Sequence, residues 1–185
     1  ISGTSNIVSV TTLPVIAPPT PITYCSSKGN DASGEVIKKV VFGSINNIST
    51  AKKGYENFSA ILTNITKGNS YSITITPQWF YGTYPEGYAV FIDFNKDGDF
   101  TDIGEKVFTK SATTSTTITG SITIPTTASI GTTQMRVSMK YNGIPSSCET
   151  FTYGQVEDYT VNIMAGALLK TMPETKNIAD EKLID

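Results

Sequence analysis

Short stretches in which hydrophobic and polar residues alternate recur from Tyr24 to Ile163 and predict β-strands. Ser70–Thr76 has the clearest period of two, so one face of this strand would be buried and the other solvated. The end of Thr116–Ile124 alternates in the same way and stops at a proline. No segment of this region has a helical period. Five further strands are predicted from β-prone segments separated by Gly, Asn and Ser: Val36–Phe42, Tyr88–Asp93, Lys106–Thr109, Gln134–Tyr141 and Tyr159–Ile163.

Seven or more short strands in one region must close on themselves or stack in two layers. We therefore predict an all-β fold, an antiparallel β-sandwich of jelly-roll-like form, over residues 24–163. Residues 1–23 are interpreted as the end strand of a preceding domain, similar to the last strand of a fibronectin type III domain, followed by a Pro-rich linker. Residues 164–185 lack alternation and are interpreted as a C-terminal linker.

An acidic loop directly follows the predicted strand Tyr88–Asp93. Asp93, Asn95 and Asp97 alternate so that their side chains can converge from a tight turn, and Gly98 permits the positive φ that such a turn requires. Further side-chain oxygens follow at Asp99, Thr101, Asp102 and Glu105. An EF-hand would place glutamate where this chain has Gly104, and it would flank the loop with helices. The pattern therefore predicts a calcium loop that is not an EF-hand.

Calcium is the cation that this loop favours, because Ca²⁺ takes six to eight oxygen ligands in flexible geometry. Magnesium requires a smaller and stricter octahedral site. Without a cation, closely spaced carboxylates repel one another and raise one another's pKa values. The alternative is a solvated acidic turn that holds no metal.

A second pair of carboxylates, Glu157 and Asp158, leads into the last predicted strand. Neighbouring residues of a strand point to opposite faces, so one of the two is expected to be buried and to require a partner. That partner would be either the metal of the acidic loop or Arg136, which interrupts an otherwise apolar strand. Acid and base catalysis by the pair, as in a glycosidase, is a further alternative.

Composition narrows the possible functions. Of the 185 residues 16 % are charged, the net charge is -2, and no cluster of Lys or Arg indicates binding to nucleic acid. The chain has no histidine, which argues against zinc sites and catalytic triads. No apolar run is long enough for a membrane span.

Cys25 and Cys148, near the two ends of the predicted domain, fit one disulfide in an exported protein, with two free buried thiols as the alternative.

Aromatic residues cluster between Gln78 and Gly87, which is predicted to be a loop. Trp79, Tyr81 and Tyr84 could stack on sugars or grip a peptide there. The alternative is that several of these rings cap the core of the sandwich.

The chain resembles the GEVED domain, a β-rich module of secreted Bacteroidetes proteins named for its closing Gly-Glu-Val-Glu-Asp sequence. The matching blocks lie in order over residues 24–163: Tyr24-Cys25, Glu35-Val36-Ile37 with residues 40–43, residues 54–59, residues 92–100 with Gly104-Glu105, Met135-Arg136-Val137, Cys148 and residues 154–158. Gln155 replaces the first Glu of the closing sequence. The resemblance implies a module that accompanies secreted peptidases or adhesins, often ahead of a type IX secretion sorting domain.

Together these observations predict a non-catalytic, calcium-stabilised accessory module of a secreted or cell-surface bacterial protein. Its partners would be the neighbouring domains of the parent chain. One alternative is a module that recognises polysaccharide or a protein matrix through the aromatic residues. A small hydrolase that uses Glu157 or Asp158 is the other alternative.

Overall fold

The computed structural model describes residues 22–166. Within this range the regular secondary structure consists of ten β-strands and contains no helix. The strands are β1 Lys28–Asp31, β2 Glu35–Phe42, β3 Ile45–Ile48, β4 Tyr55–Thr66, β5 Ser70–Trp79, β6 Glu86–Ile92, β7 Lys106–Thr113, β8 Ile118–Thr123, β9 Gly131–Tyr141 and β10 Thr150–Met164.

The strands form two sheets. The smaller sheet has the order β3-β2-β5-β8, and all its pairs are antiparallel. The larger sheet has the order β1-β10-β9-β6-β7, and β4 also pairs with β10. β10 runs parallel to both β1 and β4, and these are the two parallel pairings among the described strands. The sandwich is therefore mixed rather than purely antiparallel along this edge.

One hydrophobic core lies between the two sheets. Alternate residues of β5 point into it, as the period of two predicted, and Ile73 and Ile75 are fully buried. Val137 and Met139 of β9 are fully buried in the same core. Burial of this apolar surface is the main force that holds the layers together. The predicted all-β sandwich is confirmed.

A smaller apolar cluster covers the opposite face of the larger sheet. Ala89 and Phe91 of β6 pack there with Phe100 from the acidic loop, and the ring of Tyr24 covers them. The rings of Tyr24 and Phe100 stack with their centroids 5.0 Å apart. The acidic loop is thus packed against the sheet by its own aromatic residue.

The main differences from the predicted elements concern the edges of the sheets. β1, β3 and β4 were not predicted as strands, and β10 begins at Thr150 rather than Tyr159. β5 also extends to Trp79, so the predicted loop Gln78–Gly87 is shorter than expected. β4 lacks the expected alternation because most of its residues are at least partly exposed at the edge of the sheet.

The predicted end strand and the Pro-rich linker up to residue 21 lie outside the described residues, as does most of the predicted C-terminal linker. Within residues 22–166 the protein has no helix that could cross a membrane.

Candidate functional site

The acidic loop, residues 93–105, connects β6 to β7. Three of its residues have positive φ: Lys96 at 68°, Gly98 at 96° and Gly104 at 96°. Glycine tolerates this conformation, which a residue with a side chain rarely adopts. The loop therefore folds back sharply on itself and brings its polar side chains together.

Asp93 organises the backbone of this loop. Its side chain is fully buried, and its Oδ1 accepts a hydrogen bond from the amide of Lys96. Oδ2 accepts from the Gly98 amide at 3.1 Å and from the Tyr24 hydroxyl at 2.8 Å. Burial, with the Asp93 carboxylate adding to it, raises the pKa of Tyr24 to about 12, so this phenol remains a donor. Both carboxylate oxygens of Asp93 are thus bound to groups of the protein.

Asp97, Asp99 and Asp102 form the acidic cluster of the loop. Each offers a carboxylate oxygen, and these oxygens lie within 4.8 Å of one another. The Asn95 amide bridges two of them, donating to Asp97 at 2.8 Å and to Asp102 at 2.6 Å. Hydrogen bonding from Asn95 is the largest cause that lowers the pKa of Asp97.

Hydrogen bonds between residues two apart hold the cluster in place. The amides of Asp97, Asp99 and Thr101 donate to the side-chain oxygens of Asn95, Asp97 and Asp99, at 3.0, 3.1 and 2.7 Å respectively. The Thr101 hydroxyl also donates to Asp99 at 2.8 Å. These repeated Asx turns orient the carboxylates before any ligand is bound.

Glu105 completes the loop from its buried side. It is 2 % exposed; its Oε1 accepts from the Phe94 amide at 2.8 Å, and its Oε2 is buried without a hydrogen-bond partner. Burial raises the pKa of Glu105, and the charges of Asp93 and Asp102 raise it further. The acidic cluster supplies carboxylate oxygens of the kind that calcium takes. Glu105 is not among the carboxylates whose oxygens converge there, although the sequence predicted it as a metal ligand.

Asp158 lies away from the acidic loop and forms an ion pair with Arg136. The contact is bidentate, with Nε and one terminal nitrogen of Arg136 each 2.8 Å from a different Asp158 oxygen. The Tyr55 hydroxyl donates to the same carboxylate at 3.0 Å, and Arg136 also donates to the carbonyls of Cys25 and Ser147. Arg136 and Asp158 are each 2 % exposed. Of the two alternatives for Asp158, the structure contains the pairing with Arg136.

Glu157 points away from Asp158 and is fully buried. Its Oε2 accepts a hydrogen bond of 2.6 Å from the Tyr159 hydroxyl, and its Oε1 has no partner. Burial raises the pKa of Glu157 to about 8. Glu157 and Asp158 are therefore both buried, whereas the sequence predicted that only one of them would be. Neither of these two predicted metal ligands lies in the acidic cluster.

Gln155 connects the two sheets, a role that the sequence did not predict. Its Oε1 accepts from the Ile37 amide of β2 at 2.7 Å. Its Nε2 donates to the carbonyls of Ala51 and Lys53 and to the carboxylate of Glu56. A Glu at this position would offer no donor to those acceptors. Gln155, which stands where the closing sequence has its first Glu, therefore uses both its side-chain oxygen as an acceptor and its side-chain nitrogen as a donor.

The predicted disulfide between Cys25 and Cys148 is present, with a Cα–Cα distance of 5.5 Å. It joins the segment before β1 to the connection between β9 and β10. Because Arg136 donates to the carbonyls of Cys25 and Ser147, the disulfide and the ion pair form one continuous structure.

The predicted aromatic residues separate into different environments. Trp79 ends β5, and its indole nitrogen is buried without a partner. Tyr81 and Tyr84 lie in the connection between β5 and β6, where they line a pocket together with Tyr141 and Tyr153. The last two tyrosines were not predicted as site residues, because long-range strand pairing brings them there.

The two packed sheets and the buried ion pair define a disulfide-bonded β-sandwich module. Residues 87–162 match the family model of the GEVED domain, which confirms the predicted family for this part of the chain. The match includes the acidic loop, Arg136 and residues 154–158. GEVED domains are accessory-type, non-catalytic domains. No curated protein matches the chain.

Proposed function

We propose that this protein is a non-catalytic, calcium-binding accessory module of a secreted or cell-surface multidomain bacterial protein, such as a peptidase or an adhesin. Calcium bound at the acidic loop stabilises the module and positions the neighbouring domain. The observation that carries the proposal is the convergence of Asp97, Asp99 and Asp102, whose carboxylate oxygens lie within 4.8 Å of one another.

The electrostatics of the loop support a cation. Three carboxylates within 4.8 Å repel one another, and a divalent cation would convert that repulsion into attraction. Asn95 and the Asx turns already hold the carboxylates in place, so little side-chain freedom remains to be lost on binding.

The position of the loop supports a role toward a neighbouring domain. Tyr24 bonds to Asp93 and stacks on Phe100, so the loop holds the segment through which the chain enters the sandwich. A Cβ added to Gly98 would lie only 2.9 Å from the side chain of Ile22, which shows how closely that segment crosses the loop. A cation that orders the loop would therefore also fix the direction of the preceding chain.

Thermal unfolding in calcium and in EGTA tests the proposal. Calcium at about 100 times its Kd adds about 2.7 kcal/mol to the free energy of unfolding, which corresponds to a Tm increase of roughly 5 to 10 °C for a domain of this size. Asp97→Asn and Asp99→Asn should each reduce the calcium-dependent increase. Asp31→Asn, which removes an exposed carboxylate outside the loop, should keep it. A Tm of the unchanged protein that is the same in both buffers would refute calcium binding.

A second candidate function is recognition of an extracellular polysaccharide or protein. The observation that favours it is the pocket that Tyr81 and Tyr84 share with Tyr141 and Tyr153. Glycan arrays and matrix pull-down assays test it, with Tyr81→Ala to remove the most exposed ring. Because Trp79 does not line the pocket, Trp79→Ala is a control for general damage to the connection between β5 and β6 rather than a test of the pocket.

The hydrolase alternative draws no support from the arrangement of Glu157 and Asp158. Glu157 is fully buried in the sandwich, and both oxygens of Asp158 are held by Arg136. The two carboxyl groups bind different partners on opposite faces of β10. We therefore do not propose a reaction for this pair.

A further inference from the structure

A pocket of about 380 Å³ opens at the end of the sandwich where β9 ends and β2 begins. We call it the tyrosine pocket, and it is lined chiefly by Asp31, Glu35, Tyr81, Tyr84, Tyr141 and Tyr153. These residues come from four separate parts of the chain. It lies apart from the acidic loop, since none of the residues 93–105 line it.

The four tyrosines form a partly exposed aromatic group. Tyr81 is 76 % exposed, Tyr84 36 %, Tyr141 41 % and Tyr153 46 %. Tyr141 meets Tyr84 and Tyr153 edge to face, with ring centroids 6.2 and 6.1 Å apart. Large aromatic patches are uncommon on the surface of a soluble protein unless they bind something. Aromatic faces carry partial negative charge and attract cations.

Carboxyl groups make this pocket acidic. Among the residues that line it, Asp31 and Glu35 are acidic, and none is Lys or Arg. Glu35 is only 4 % exposed, and burial together with the charge of Asp31 raises its pKa. Glu86 is fully buried and does not line the pocket; burial raises its pKa to about 7, and the charge of Glu35 adds to this.

The carboxyl groups of Asp31 and Glu35, beside a ring of tyrosines, favour a positively charged ligand over a neutral one. A sugar could stack on the tyrosines, but it would leave the carboxyl groups uncompensated. An ammonium or guanidinium group satisfies both features, since it pairs with carboxylates and lies over aromatic faces. Lys52 gives an example nearby, with its Nζ 3.8 Å from the ring centre of Phe80 and 5.2 Å from that of Tyr81.

We propose that the tyrosine pocket binds a Lys or Arg side chain of a partner polypeptide, with Asp31 and Glu35 facing the cation and the tyrosines enclosing its stem. This inference rests on the second candidate function, recognition through this pocket, and specifies the chemistry of the ligand. A polypeptide segment suits the pocket because a volume of about 380 Å³ accommodates a side chain together with adjoining main chain.

Titration with short peptides tests the inference on the intact protein. The probes are the capped pentapeptides Gly-Gly-Lys-Gly-Gly and Gly-Gly-Arg-Gly-Gly, and the matched control carries an acetylated lysine, which has nearly the same shape but no charge. Binding is followed by amide chemical shifts and calorimetry at low and high salt. We expect the charged peptides to shift the amides around residues 31–35, 81–84 and 153, and to bind more weakly at high salt.

Paired variants identify the groups that are responsible. Tyr81→Ala should weaken binding of the lysine peptide roughly three- to tenfold, whereas Tyr81→Phe keeps the ring and most of the affinity. Asp31→Asn should weaken it, whereas Asp31→Glu keeps the charge and most of the affinity. Both positions are exposed, so these variants are expected to fold.

Three outcomes would overturn the inference: the charged peptides do not bind, the acetylated control binds equally well, or Tyr81→Ala and Asp31→Asn leave affinity unchanged. If the peptides fail but a neutral polysaccharide binds and is lost in Tyr81→Ala, the pocket is a recognition site and only the proposed ligand class is wrong. If neither binds, recognition through the pocket fails as well.

Discussion

Glu157→Gln is expected to make the protein less sensitive to rising pH. Glu157 is fully buried and its pKa is raised to about 8, against an ordinary value of 4.5. Between these values the folded protein keeps the proton that the unfolded chain has lost. The folded state then binds more protons, so the free energy of unfolding falls as pH rises through this window. Glutamine keeps an acceptor for the Tyr159 hydroxyl and has no proton to lose.

The expected magnitude follows from the difference in pKa. Each unit of difference corresponds to 1.36 kcal/mol, so between pH 5 and pH 8 the penalty from Glu157 grows by about 3 kcal/mol. Below about pH 4.5 the acid is protonated in both states, and the penalty disappears. The variant should therefore gain about 3 kcal/mol relative to the unchanged protein over this range.

Urea unfolding at pH 5, 6, 7 and 8 measures this gain directly as the difference between the two proteins at each pH. Asp97→Asn in EGTA is the control, because the pKa of this exposed carboxyl is lowered and it stays ionised across the range. Taking differences also removes the contribution of Glu86, whose pKa is raised to about 7. If the difference between the Gln variant and the unchanged protein is the same at all four pH values, Glu157 does not retain its proton in the folded state.

Three further predictions concern stability. Asp158→Ala should cost about 3 to 5 kcal/mol by leaving Arg136 buried without a counter-charge, equally in calcium and in EGTA; a calcium-dependent loss in urea unfolding would instead connect Asp158 to the metal. Replacing Cys25 and Cys148 by serine should cost about 4 to 5 kcal/mol, because the bridge spans 123 residues; an unchanged denaturation midpoint would contradict this. Gly29→Ala should destabilise strongly, because the new Cβ would lie 2.1 Å from a backbone oxygen, and a Tm within 1 °C of the unchanged protein would exclude that clash.

Local patterning predicted the strands that face the core. β5 alternates because it has one buried face, and the period of two identifies that arrangement from neighbouring residues alone. In β9, by contrast, residues 135–139 are buried on both faces of the strand. β4 gave no such signal, since it lies at an edge and its pairing with β10 shifts register between Tyr159 and Thr160. The start of β10 was missed because Gly154 interrupts the pattern with φ 123°.

The candidate sites were predictable only where their residues are close in sequence. The acidic loop was predicted because all its polar residues lie in one segment of the sequence. In the structure, however, Asp93 accepts hydrogen bonds from the loop backbone and is not part of the acidic cluster. From the sequence, either the metal or Arg136 could be the partner of Asp158. Only the pairing of β9 with β10 in the fold shows that Arg136 lies opposite Asp158. Tyr141 and Tyr153 join Tyr81 in the pocket through contacts over many residues, which no local pattern records.

The disulfide also determines how the module would respond to tension. Cys25 is bound covalently to Cys148, so a pull on the two ends of the chain passes across the sulfurs and reaches β10 without loading the strands between them. The chain inside the bridge, which corresponds to a sequence separation of 123 and to about 400 Å when extended, would not lengthen under the force. Oxidised, the module would act as a short and stiff connector, and reduction would turn it into a long extensible one.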